Sequence, residues 1–265
     1  MMSFKNLIDS HIHLLSMEDR QLAVDKIISE AENEGFSALL DVSIDNRDIL
    51  KRTDFASRHS CVHTALGLAP SAAASDDWIL ELEKLDGYIS QVMPCALGEI
   101  GLDYHWNYGS PEKQKHLFAS QIRLANDRAL PVIIHNRKAD SDVLSILKEI
   151  PPLYGGIMHC FSADKDTAVR FLELGMKLSF AGNTTYRQSG ALREAAAFLP
   201  LHSILVETDS PFLPPEGFRG KPNSPLNVAY VYTVIAELRG ISIENLVEAV
   251  KINYFGLIKK RGDSQ

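Results

Sequence analysis

The sequence predicts a closed (β/α)8 TIM barrel, and three observations carry that expectation. Eight short apolar segments, often β-branched, recur along the 265 residues, each followed by a longer segment of helical period. No Gly-rich or charged linker and no short repeat divides the chain, so residues 1–265 read as a single domain. The side chains able to bind metal fall at the C-terminal ends of the strand candidates, the end at which barrels build their sites. Strict β–α alternation implies a parallel sheet. The open doubly wound alternative normally carries a Gly-rich first turn, which this sequence lacks.

The first strand candidate is NLID, Asn6 to Asp9, running on into His11 and His13. A side-chain period of two puts Leu7, Asp9, His11 and His13 on one face. In the following MEDRQLAVDKIISEAENEGF, Ala23, Ile27 and Ala31 recur every fourth residue, and Gly35 is the expected stop. SALLDVS and CVHTALGL are the second and third strand candidates, and PCALGEI, the fourth, ends near Glu99. GSPEKQKHLFASQIRLANDRAL then opens with Ser110 as N-cap and Pro111 at the first helical position. LPVIIH ends at His135, GGIMHC brings His159 to the sixth strand end, MKLSFAG is the seventh strand, and SILVETD ends at Asp209. The last helix candidate carries an apolar stripe of Ile243, Leu246, Val247, Val250 and Tyr254.

Composition narrows the function classes. Hydrophobic residues at 45% and charged residues at 23% are ordinary for a globular protein with a substantial core. No window is apolar enough for a membrane span, and the opening MMSFKNLIDS lacks signal-peptide character, so a cytoplasmic protein is expected. Cys61, Cys95 and Cys160 are odd in number and widely spaced, which points to reduced thiols rather than disulfides or a zinc ribbon. The formal charge of −7 argues against tight metal-independent binding of duplex nucleic acid. It leaves a phosphate ester open as substrate, because bound metals can dominate the local field.

His11, His13, Glu99, His135, His159 and Asp209 come from five strand ends and converge on one rim. Four imidazoles and two carboxylates exceed one tetrahedral ion with an open position, and they suit two divalent metals about 3.5–4 Å apart bridged by a carboxylate. Glu99 is the expected bridge and Asp209 the expected proton acceptor, the two catalytic candidates. The donor set admits zinc, manganese or magnesium. Such a site does hydrolysis, through a metal-activated water acting on a phosphoryl or carbonyl centre.

The blocks DSHIHL, GEIGLDYH, LPVIIHNR, HCFS and VETDSPFLPPEGFRGKPNSP, in this order, resemble the TatD-type metal-dependent hydrolases, a branch of the amidohydrolase superfamily. The resemblance implies a TIM barrel and a divalent-metal hydrolase, with deoxyribonucleases acting from the 3′ end of single strands among its members. It also implies one metal held by His11, His13, Glu99 and Asp209, and a second by Glu99, His135 and His159. The expected transient partner is single-stranded DNA or another phosphodiester, with no membrane and no obligate protein partner. The family commonly reads Gly-x-His-Pro-His after the third strand, where this chain has Ala69 and Ser71. That departure keeps a small-molecule amidohydrolase or lactonase as the alternative.

Other rim residues have weaker signals. Arg137 shares the strand-face direction of His135 and could meet a phosphate. Arg219, Lys221 and Asn223 lie on a Pro/Gly-shaped loop after the eighth strand, and are expected to contact substrate. Asp9 is expected to support the ligands from behind, with Asp103 and Tyr104 shaping the site. Cys160 is expected to face the helices, and His63 to lie in the core or to face a loop. His59, His105, His116 and His202 are expected at the solvated surface.

Overall fold

The computed structural model describes residues 5–259. Among these residues eight parallel strands form one sheet in the order β1 to β8. They are β1 Ile8–Ile12, β2 Ala38–Val42, β3 Val62–Leu66, β4 Ala96–Asp103, β5 Val132–Arg137, β6 Gly156–Met158, β7 Met176–Phe180 and β8 Ile204–Val206. The sheet closes on itself through a bridge between Ile12 and Ser210, with His13 N donating to Ser210 O (2.8 Å) and Asp209 N to His11 O (3.0 Å). This is the expected (β/α)8 barrel. Its strands are buried almost throughout because helices cover the outside and side chains fill the inside.

The helices are α1 Leu14–Asp19, α2 Val24–Asn33, α3 Ile49–Arg58, α4 Trp78–Val92, α5 Pro111–Asp127, α6 Asp140–Glu149, α7 Lys165–Glu173, α8 Gly190–Phe198, α9 Val228–Arg239 and α10 Ile243–Leu257. Ser110 caps α5 by accepting from Lys113 N (3.2 Å), with Pro111 in the first position. Gly35, at φ +81°, ends α2 as only glycine does cheaply. Leu246, Val247, Val250 and Tyr254 of α10 are buried and Ile243 is half-buried.

Two expectations are corrected. MEDRQLAVDKIISEAENEGF is two helices, broken at Gln21 with φ +60°. The buried stripe of α2 is Val24, Ile28 and Ala31, while Ala23 is exposed as the N-cap, outside the helical turns that the stripe follows. Glu99 lies inside β4 rather than at its end, since β4 runs on to Asp103. The β4–β5 register shifts between Leu97 and Ile100, and β1–β2 shifts likewise between Asp9 and Ile12. Such irregularities re-aim side chains, and here they flank Glu99 and His11.

Candidate active site

At the C-terminal mouth of the barrel the six side chains meet. His11 and His13 approach through their Nε2 atoms (3.1 Å), which lie 3.6 and 3.5 Å from Glu99 Oε2. Asp209 Oδ1 lies 3.4 Å from His13 Nε2 and 4.0 Å from His11 Nε2. On the other side, Glu99 Oε1 lies 2.7 Å from His135 Nδ1 and 3.2 Å from His159 Nε2, which are 3.2 Å apart. Glu99 therefore turns one oxygen to each histidine pair. The His11 and His159 rings stack between the two halves, with centroids 3.9 Å apart.

The far side of each ring explains the orientation. His13 Nδ1 meets Val42 O (2.9 Å), His135 Nε2 meets Asp103 Oδ2 (3.0 Å), and His159 Nδ1 meets Glu207 Oε1 (3.3 Å). Val42 O and the Asp103 carboxylate accept, so His13 and His135 keep a proton on that side and turn the other ring nitrogen into the cluster, as His159 does beside Glu207. Ring nitrogens and carboxylate oxygens crowded at these distances need positive charge among them, which protons on the imidazoles or bound divalent ions would supply. Among the described residues three buried or nearly buried His/Glu groups have donor atoms close enough to hold a metal, two of them being His11, His13 with Glu99, and Glu99 with His135 and His159. The donor set fits divalent ions.

Burial lowers the basicity of His13, His135 and His159, yet the carboxylates around them outweigh it and raise all three, His159 well above the ordinary imidazole value. Burial opposes the Glu99 charge, yet His159, His11 and His135 hold its carboxyl well below the ordinary carboxylate range. Burial also opposes the Asp209 charge, and the His13 hydrogen bond and then the His159 charge overcome it, so the acid remains a carboxylate. His11 is pushed below its ordinary value by burial and then by His159.

Asp9 lies beneath the cluster. Its Oδ1 accepts from His11 N (3.3 Å) and Thr208 N (2.9 Å), and its Oδ2 from Thr208 Oγ1 (2.6 Å). It thereby ties β1 to the segment that delivers Asp209, which has φ +58° just beyond β8. Asp103 holds His135 with one oxygen while its other accepts from His105 N (2.8 Å) and Trp106 N (3.1 Å). Tyr104 instead turns out to α6, donating to Asp142 Oδ2 (2.6 Å).

A cleft of about 1040 Å³ opens above the cluster, with Arg137, Lys221, Trp106 and Phe212 among its walls. Asn223, expected on that wall, is buried below it. Its Nδ2 donates to Thr208 O (3.0 Å) and Leu213 O (3.2 Å), and its Oδ1 accepts from Ser224 N and Asn227 Nδ2 (both 2.9 Å), so its amide holds the loop together. Arg219 stacks over Tyr186, 4.9 Å from the ring centroid. Cys160, expected to face the helices, lines the cleft, because β6 ends at Met158 and Cys160 has φ +47°. Burial and then the Asp209, Glu207 and Glu99 charges raise its thiol well above the usual value. His63 is buried against Tyr254 (Nδ1 to Oη 2.9 Å). His105, His116 and His202 are exposed, whereas half-buried His59 pairs with Glu32 (2.9 Å).

Sequence reasoning missed Glu207, wholly buried under His159. The signal was present, for a strand period places Glu207 on the same face as Asp209. It also passed over Arg20, Trp106 and Phe212, which surround the cleft from loops without local signature.

A (β/α)8 barrel with a histidine–carboxylate cluster at its C-terminal mouth defines the class, that of metal-dependent barrel hydrolases. The family model described as TatD related DNase matches residues 8–259, and the chain belongs to that family. It is 35% identical to YabD of Bacillus subtilis, a metal-dependent hydrolase, over 93% of this chain and 96% of that one. It is equally similar to YcfH of Escherichia coli K12, also a metal-dependent hydrolase, at 35% over 94% of each. The crystal structure of YjjV, a TatD homologue from Escherichia coli K12, superposes with a TM-score of 0.88 at 30% identity, covering 96% of this chain and 98% of that one. Among the described residues no helix is long and apolar enough to cross a membrane.

Proposed function

We propose that this metal-dependent hydrolase is a phosphodiesterase that shortens single-stranded DNA from its 3′ end, working as one catalytic barrel in the cytoplasm. The observation that carries the reading is a shared carboxylate beneath a cationic rim. Glu99 offers one oxygen to each histidine pair, and Arg20, Arg137 and Lys221 line the cleft above in a chain of net charge −7. Local positive charge against an acidic background is what an anionic substrate needs. The three cysteines form no disulfide, in keeping with a reducing compartment.

In this reading His11, His13, Glu99 and Asp209 would hold one divalent ion, and Glu99, His135 and His159 a second. When bound, the ions acidify a water and offset charge that builds on the phosphoryl oxygens. The chain's own groups do the rest. Val42 O, Asp103 and Glu207 keep three imidazoles in the tautomer that faces the cluster. The Asp209 carboxylate, 8% exposed and ionised, accepts the proton of the attacking water. Arg137 and Lys221 orient the phosphate.

The test is digestion of a 3′-labelled single strand by metal-stripped protein refilled with manganese, magnesium or zinc. Metal-dependent shortening is expected, and Asp209→Asn should lower its rate about 10²-fold or more. A metal-loaded wild type that leaves the strand intact refutes the phosphodiesterase reading. The uncharged Ala69 and Ser71 on the cleft wall favour the second reading, hydrolysis of a small lactone or amide. A substrate panel of those esters and amides would then reveal turnover.

A further inference from the structure

We propose that Trp106 with Arg137, and Phe212 with Arg20, form two nucleotide subsites, one beside each half of the cluster, that seat adjacent nucleotides of a single strand. The proposal rests on the phosphodiesterase reading and adds which residues read the substrate.

Both rings line the cleft and are open to solvent, Trp106 53% and Phe212 37% exposed. Each carries a guanidinium over its face: Arg137 lies 5.7 Å from the Trp106 centroid, and Arg20 lies 4.6 Å from that of Phe212. Arg20 is further fixed by Pro211 O, 3.5 Å from its Nη1. A nucleotide is a flat π-system one sugar away from an anion, so a ring paired with a guanidinium matches both of its parts.

Each ring is also tied to the cluster through one residue. Trp106 N donates to Asp103 Oδ1 (3.1 Å), and the other oxygen of Asp103 holds His135. Phe212 N donates to Asp209 O (2.7 Å), and its ring meets the His13 ring edge-on at 5.8 Å. One platform is therefore in register with the His135 half and the other with the His13 half. A lactone or amide offers nothing to occupy two such platforms, whereas a strand offers a base on each side of the scissile phosphate. Duplex bases already stack on their neighbours, so only unpaired ends fit. Because every base has a π-face, the subsites are tolerant of sequence.

The test uses the full-length metal-loaded protein and a short oligothymidylate. The chain has two tryptophans, and Trp78 is half-buried on α4, so stacking on Trp106 should quench the emission. Metal-loaded Asp209→Asn should show this quenching on binding, and the added change Trp106→Phe should abolish it while preserving affinity. In the active protein, Trp106→Ala and Phe212→Ala should each raise KM about tenfold or more with kcat little changed, and Trp106→Phe should restore KM. Strands lacking one of the two bases flanking the scissile phosphate should be bound weakly by wild type, and the ring removal should then cost nothing further at the matching position. Unmoved KM, equal losses on intact and abasic strands, or binding without quenching would each overturn the proposal. Quenching by a strand that no metal-loaded form cleaves would sink the phosphodiesterase reading and leave the subsites standing.

Discussion

Gly101 is the position at which one methyl group should do the most damage. It sits in β4 opposite His135 of β5, with φ +141°. A Cβ built there lies 1.9 Å from His135 O, a backbone atom, where real Cβ contacts keep at least 3.0 Å. Relief needs the two strands to part by more than about 1 Å, which breaks roughly two ladder hydrogen bonds at about 1 kcal/mol each. A non-glycine residue at that φ adds about 1–3 kcal/mol. Gly101→Ala should therefore lose about 3–5 kcal/mol, a large part of the 5–15 kcal/mol that typically holds a domain folded. The parting also separates Glu99 on β4 from His135 on β5, now 2.7 Å apart, so metal affinity should fall with stability. Urea unfolding and metal content by mass spectrometry, on wild type and variant side by side, measure both. An unchanged midpoint with full metal content would refute the reasoning.

Glu99→Gln should weaken both metal positions together, since each histidine pair loses a charged oxygen; titration showing one position spared would rule out sharing. Asp103→Asn should leave the fold intact and reduce affinity about 10–100-fold at the His135 position, the cost of losing a carboxylate behind a ligating imidazole, and calorimetric titration showing wild-type affinity would remove Asp103 from that role. Gly87 is exposed in the middle of α4 with nothing within 4 Å of an added Cβ. Gly87→Ala should stabilise by about 0.5–1 kcal/mol through helix propensity, seen as a small rise in Tm, and a fall in Tm would contradict the open surroundings.

The barrel was legible because alternating apolar strands and amphipathic helices leave few parallel architectures, and because barrel chemistry gathers at one end of the strands. That rule alone brought His11, His13, Glu99, His135, His159 and Asp209 to one rim, where the structure has them within a few ångströms of one another. The helix break at Gln21 escaped because helical periodicity continues across it in the sequence.

The sequence by itself determined the architecture, the family and the side chains that crowd the mouth, since these follow from local periodicity and from residue types at strand ends. Tertiary structure decided what lies behind and above them. Glu207, just beyond β8, and Asp103, at the end of β4, reach their imidazoles across the barrel mouth, and that pairing depends on how eight strands tilt around a common axis. Cys160 faces the cleft and Asn223 turns beneath it because loop backbones leave the two-residue period that strands obey. The Trp106–Arg137 and Phe212–Arg20 pairs are closed by packing between segments far apart in the chain or freed from regular structure, and no local pattern encodes such a contact.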